Sequence, residues 1–585
     1  MLRLLRRMRR REVVMCLICA VFVLGQIYLE LLLPDYMSEL TLLINTPGTQ
    51  MSQIWETGIR MLVCVIFSAV LSISCGYLCA RAAAGFAHGV RGDLFRHIMG
   101  LGQQEMLGFS IPSLITRSGN DITQVQMVIG MGLQAMIKSP VMAVWAIMKI
   151  LDKSWELSVV TAGFVLGNCI SVGSIFIIVL PRIRIVQKLT DKINKVTREN
   201  LTGINVVHAF NAEEFQNQKF DAVNTKTMKT QLFNQRMFGL MNPLMSLGMT
   251  GLSLVIFWLG AALINQIPAA DPQGRLVMFS NVVVFSTYAT YVVMSFMMLI
   301  MIFMLMPAAQ VSAERINEVL NTEPAVREGK TEEAKETGTV EFRNVSFRYP
   351  DASEDELSNI SFRVEKGQTL AIIGATGSGK TTLISLIARF YDATSGQVLV
   401  DGVDVRDYSF DALYNRLGYV TQKAVLFSGT IAENVSFGES REEIGAKDVD
   451  RALDLACASE FVEKLEDKTA HLIAQSGRNV SGGQKQRISI ARALARKAEI
   501  LIFDDSFSAL DYRTDAALRA GLAKELADST KVIVAQRIST IRHADKILVL
   551  EDGEIVGDGR HEELMVSCPV YREIAMSQLS EAELS

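Results

Sequence analysis

The chain has 585 residues, too many for one hydrophobic core, because single cores stop growing at about 250–300 residues. It is 49% hydrophobic with a mean hydropathy of +0.26, too apolar for a pair of water-soluble domains. Its formal net charge of −4 provides no basic field for nucleic acid.

The N-terminus opens on Arg3, Arg6, Arg7, Arg9, Arg10 and Arg11, the cytoplasmic flank that the positive-inside rule expects. Val13–Leu29, extended to Leu33, is the first apolar run, and Met61–Ala80, Val128–Ile150, Leu157–Pro181, Phe238–Ile264 and Val277–Met306 follow. Each approaches or exceeds the ~20 residues that cross a bilayer core. The outer stretch Pro34–Ile54 has no Lys or Arg, and Asn265–Leu276 has only Arg275. Residues 82–127 and 182–237 are long cytoplasmic segments rich in basic residues. Ile185, Leu189, Ile193 and Val196 fall at helical spacing, so these segments read as extensions of the membrane helices. Lys138 lies inside the third run and is read as snorkelling to the inner surface. Met294, Met297, Met298, Met301, Met304 and Met306 enrich the sixth, where flexible thioethers suit either promiscuous binding or plain packing. Six of the eight cysteines lie in apolar runs, with no zinc-type pairing to histidine, and read as small buried hydrophobes.

Residues 321–339, mixed in charge and poor in apolar groups, read as a linker. Strand-like and helix-like signals alternate from Val340. Gly374, Ala375, Thr376, Gly377, Ser378, Gly379, Lys380 and Thr381 fit G-x-x-x-x-G-K-[ST] after the apolar run Thr369–Ile373. Such a loop, with Thr382 continuing into a helix, cradles phosphate on backbone N–H groups. Lys380 is placed for the β- and γ-phosphates and the Thr381 hydroxyl for Mg²⁺. Ile500–Asp504 is an apolar strand ending in a carboxylate suited to the same Mg²⁺.

Between these lies Val480, Ser481, Gly482, Gly483, Gln484, ending at Arg487, which resembles the signature motif of ATP-binding cassette (ABC) transporters. In the order of that family, Tyr349 resembles the adenine-stacking aromatic, Gln422 the glutamine that senses Mg²⁺ and γ-phosphate, and Asp511 the end of the D-loop. The resemblance implies an α-helical membrane domain over 1–320, with about six transmembrane helices and long cytoplasmic extensions. A linker over 321–339 and an α/β P-loop nucleotide-binding domain with an inserted helical subdomain over 340–585 complete it. Short helices near Pro112–Asp121 and Glu199–Glu214 resemble its two coupling regions.

Two positions depart from the family. Asp505 stands where a catalytic glutamate is usual, and Gln536 where a switch histidine is usual. The aspartate stem is one methylene short, and a displacement of about 1 Å costs roughly a hundredfold in such a site. Gln536 donates a hydrogen bond but never becomes cationic. The pattern resembles the catalytically impaired subunit of bacterial heterodimeric multidrug-type exporters. It implies ATP and Mg²⁺ as cofactors, a non-identical half-transporter as partner, and a hydrophobic or amphipathic small molecule as cargo. It also implies a multi-pass place in the plasma membrane with the ATP-binding domain in the cytoplasm and no nucleic acid. Lipid or peptide export, siderophore-type import on the same frame, and a slow homodimer stand as alternatives.

Overall fold

A computed structural model describes residues 1–46, 48–151, 153–438 and 443–578, with the side chains of Leu2, Phe303 and Met304 outside that description. The chain divides into two compact units. One comprises residues 1–99 and 112–321, and the other residues 100–111 and 322–585.

The first unit is helical. Arg10–Asn45, Met51–Met99, Ile111–Leu151, Trp155–Thr202, Glu213–Gln266 and Pro272–Asn321 are each long and apolar enough to span a membrane. Their lengths of 36 to 54 residues correspond to about 55–80 Å at ~1.5 Å per residue, against ~30 Å of hydrocarbon. The excess is the basic extension expected over 82–127 and 182–237. Pro34, Pro140, Pro181, Pro243 and Pro307 all sit inside helices. Neighbouring helices re-satisfy freed backbone groups in such settings; separate π-type turns lie at Arg117–Asp121 and Val128–Gly132. The helices accordingly overrun the outer loops, leaving only residues 46–50 between the first two. Val23, Ile27, Met142, Ile256, Phe285, Tyr288 and Val292 form the core of this unit.

Lys138 does not snorkel. Its Nζ lies 2.9 Å from Glu30 Oε1 on the first helix, and Gln26 Nε2 donates to the same oxygen at 2.7 Å. Lys149 pairs with Asp35 at 2.7 Å. A charge in an apolar unit is costly alone, and the partner one helix away removes the reason to reach for water.

The second unit is layered α/β. Its strands are β1 (Val340–Phe347), β2 (Leu357–Val364), β3 (Thr369–Gly374), β4 (Ser395–Val400), β5 (Val403–Asp404), β6 (Leu417–Val420), β7 (Gly429–Thr430) and β8 (Leu472–Ile473), then β9 (Ile500–Asp504), β10 (Thr530–Val534), β11 (Lys546–Glu551) and β12 (Glu554–Gly559). The central sheet runs β12-β11-β3-β10-β9-β6, parallel except for β12 at one edge. A smaller antiparallel sheet runs β2-β1-β4-β5. Central strands are apolar on both faces: Leu501 and Phe503 enter one core, Ile500 and Ile502 the other. The first core is shared with helices of the inserted lobe, including Ala446–Leu455 and Gly482–Ala495.

The segment 322–339 is not a free tether. Thr331 bridges to Tyr408, and the Gly329 N–H donates to the Tyr408 carbonyl at 2.9 Å. The short helix that joins this unit is Gln103–Gly108, where Glu105 accepts the Ala325 N–H at 3.0 Å. Pro112–Asp121, the expected coupling region, instead remains in the membrane unit, with Asp121 accepting from Ser312 at 2.8 Å. Within Glu199–Glu214 a short helix, Ile204–Ala209, does form.

Candidate nucleotide site

The parallel register builds the site. Val534 of β10 is level with Asp504 of β9, and Val420 of β6 with Phe503. The residues just past the carboxyl ends of β3, β6, β9 and β10 therefore converge at one edge, the usual ligand position of an open α/β sheet.

After β3 the chain turns through Gly377 (φ +87°) and Gly379 (φ +90°), backbone states that side-chain-bearing residues rarely adopt. A Cβ on Gly377 would meet nothing within 4 Å, whereas one on Gly379 would press on Leu357. Gly379 precedes the helix Lys380–Ile387, whose N-terminus thus points into the loop. Lys380 Nζ is folded back onto the Gly374 carbonyl at 2.9 Å and the Ala375 carbonyl at 2.5 Å. Burial depresses its pKa, opposed by the carboxylates of Asp505 and Asp504. The loop therefore holds a cation on its own carbonyls where an anionic phosphate would draw it off. Ala375 and Thr376 are exposed at the loop tip, and Ser378 is buried.

Thr381 Oγ1 donates to Asp504 Oδ1 at 3.1 Å. Burial, reinforced by Asp505, raises the Asp504 pKa, while Thr381 and Lys380 oppose the rise. A hydroxyl and a carboxylate this close, in a site that disfavours an uncompensated negative charge, are a donor pair that fits Mg²⁺. When bound, that ion would neutralise phosphate charge beside the loop. Tyr349 bonds Thr382 Oγ1 through its hydroxyl at 3.0 Å and meets Tyr391 edge to face.

Asp505, left-handed at φ +44° and 8% exposed, is the point where three expected residues meet. Gln536 Nε2 donates to Asp505 Oδ2 at 2.7 Å, and Gln422 Nε2 lies 3.5 Å from the same oxygen. An amide and a short carboxylate thus occupy each other. Gln578, which sequence reasoning passed over, holds this arrangement from the C-terminal helix Pro569–Gln578. Its amide donates to the Gln536 carbonyl at 2.8 Å and accepts the Ile538 N–H at 2.9 Å. Nothing local in the sequence marks it, because its partners lie about 40 residues upstream.

Ser481, Gly482, Gly483, Gln484 and Asp511 lie on other elements. Ser481 caps the helix Gly482–Ala495: its hydroxyl accepts the Gln484 N–H at 3.3 Å, and Gln484 Oε1 accepts the Ser481 N–H at 2.8 Å. An added Cβ at Gly482 would meet nothing within 4 Å. Asp511 caps the helix Tyr512–Glu525 by accepting from Thr514 at 2.9 Å.

Comparison with known proteins agrees over both units. The family described as "ABC transporter" matches residues 357–508, and "ABC transporter transmembrane region" matches 13–296. An uncharacterized ABC transporter ATP-binding protein of Mycobacterium tuberculosis is 37% identical over 529 residues, covering 89% of this chain and 88% of its own. An ATP-dependent lipid A-core flippase of Aromatoleum aromaticum is 30% identical over 505 residues, covering 86% and 82%. A bacterial Atm1-family ABC exporter solved with ATP bound superposes with a TM-score of 0.80 at 23% identity, covering 98% of this chain and 100% of that one.

Proposed function

The chain belongs to the ABC transporter family, and from that premise we propose that it is the weakly hydrolysing subunit of a two-chain exporter. As a member it is an ATP-driven exporter, a multi-pass membrane protein whose ATP-binding domain couples hydrolysis to transport. The finer reading is carried by one observation, the mutual contact of Asp505 and Gln536 beside an otherwise complete phosphate loop.

The phosphate loop Gly374–Thr381 and Thr382 hold ATP, with Tyr349 available to the adenine after releasing Thr382. Lys380 moves from its own carbonyls to the phosphates. Thr381, Asp504 and Gln422 would hold Mg²⁺, which would offset phosphate charge. Water attack on the γ-phosphorus needs a carboxylate that orients the water. Asp505 has one oxygen engaged by Gln536 and a stem too short to compensate. Gln536 stabilises transferred charge only as a neutral donor. This site then retains ATP and hydrolyses it slowly.

Ser481 to Gln484, with Asp511, serve the other chain's ATP. The open space before Gly482 leaves room for that nucleotide, which a self-packed helix start would lack. Phe210, 78% exposed beside the helix Ile204–Ala209, supports a second coupling contact on the partner. The cargo is hydrophobic or amphipathic, drug-like by the resemblance. Lipid is the second reading, favoured by the flippase relative.

Purified chain alone should bind Mg-ATP tightly and release phosphate about 100-fold more slowly than an ordinary exporter, the cost of a catalytic group displaced by about 1 Å. Nucleotide-binding titration and phosphate release on one preparation read both quantities. Full exporter-level turnover from this chain alone would refute the reading.

A further inference from the structure

Among the described residues, one group of thiols stands out. Cys19 from the helix Arg10–Asn45 meets Cys75 and Cys79 from the helix Met51–Met99, and the three sulfurs all lie within 4.8 Å of one another. Their exposures are 1%, 0% and 1%. Cys19 and Cys79 sulfurs are 3.4 Å apart, and the Cys19 thiol also reaches the Cys75 carbonyl at 3.5 Å. All are free thiols. Small residues packing a helix crossing would not need three sulfurs converging on one point.

Three sulfurs at ~2.3 Å from a shared ion stand about 4 Å apart in a trigonal plane, inside the spread seen here. Thiolate sulfur selects soft ions, Cu(I) among them, over Mg²⁺ or Ca²⁺. Zinc prefers a fourth ligand, and among the described residues no histidine or carboxylate joins these three sulfurs. The surroundings also select charge. Val23 and Ile27 line the same core, so a complex buried here must be close to neutral.

We propose that Cys19, Cys75 and Cys79 form a site for one soft monovalent metal ion of the Cu(I) class, joining the first two membrane helices. The ion enters as M⁺, one cysteine loses its proton to solvent and becomes thiolate, and the other two bind as neutral thiols through sulfur lone pairs. One positive charge arrives and one proton leaves, so the complex is neutral and no oxidant or reductant is consumed. Cys16, half-buried and one turn before Cys19, offers the approach.

The test uses the full chain in lipid nanodiscs under anaerobic, reducing conditions. Cu(I) is supplied as its acetonitrile complex and challenged with bicinchoninate. The wild type should retain one Cu(I) per chain. Cys19→Ser and Cys79→Ser should each abolish retention, with Cys19→Ala and Cys79→Ala as second variants. Cys64→Ser and Cys169→Ser, outside the group, should retain it. ATP binding at the cassette, unchanged in every variant, shows that the fold survives. Absence of Cu(I) from the wild type would overturn the proposal. So would retention of one Cu(I) per chain, as in the wild type, by Cys19→Ser or Cys79→Ser, or a Cys19–Cys79 disulfide that persists under reductant and excludes Cu(I).

Discussion

One carboxylate oxygen, Asp505 Oδ2, gathers the amides of Gln536 and Gln422, and the proposed slow hydrolysis rests on that contact. With Asp505→Glu and Gln536→His together, the carboxylate regains its reach and the switch position regains a group that carries a proton. Phosphate release by the repaired chain should rise about 10- to 100-fold, a gain of ~1.4–2.7 kcal/mol in transition-state stabilisation. Unchanged turnover, with ATP still bound, would remove stem length and switch charge as the cause. Both substitutions are legible in the sequence, because the motif spacing locates them. Their direct contact is not, since it depends on β9 and β10 lying side by side. Lys380 resting on its own loop carbonyls was equally invisible. A motif names a phosphate ligand but not where it rests.

At the scale of elements, periodicity and run length located six spanning helices, but loop residues such as Pro34 misled because proline is tolerated inside a packed membrane helix. The cassette-side short helix was misplaced for a related reason: Gln103–Gly108 carries no motif, and only its contact through Glu105 assigns it. Lys138 was misread because its partner lies on another helix. With exposures of 23% and 21%, the Lys138–Glu30 pair is mostly withdrawn from water. Lys138→Met strands Glu30 and should cost ~1–3 kcal/mol, below the range for a fully buried pair. Adding Glu30→Gln should restore most of the loss, read as thermal midpoint in detergent.

A second buried carboxylate ties the linker to the sheets. Asp401, after β4, accepts the Thr339 N–H at 2.9 Å and lies 3.3 Å from Arg416 Nε. Burial, with Glu499 nearby, nevertheless raises its pKa to about 7. The folded state thus holds a proton that the unfolded state, near pKa ~3.9, gives up. Between pH 4 and 7 the native form binds more protons, so this contribution to stability falls as pH rises and is lost above pH 7. The thermal midpoint of the cassette should drop from pH 6 to pH 8, and Asp401→Asn should flatten that slope. An unchanged slope in Asp401→Asn would assign the titration elsewhere.

For the whole molecule we propose asymmetry: one face of the chain would hold ATP without hydrolysing it well, and another would lend Ser481 and Gly483 to a second chain. In a homodimer every ATP would touch both Lys380 and Ser481, so losing either would be equally damaging. In a two-chain exporter the two residues belong to different sites. The deciding measurement is ATPase activity of the transporter purified from its native membranes with whatever partner accompanies it, comparing Ser481→Arg with Lys380→Ala. Ser481→Arg should nearly abolish hydrolysis, by ~100-fold or more, because a long side chain enters the partner's catalytic sandwich. Lys380→Ala should weaken nucleotide retention and slow turnover clearly less than Ser481→Arg does. Equal loss in both would show a homodimer, and greater loss in Lys380→Ala would place the working site on this chain, either of which contradicts the account.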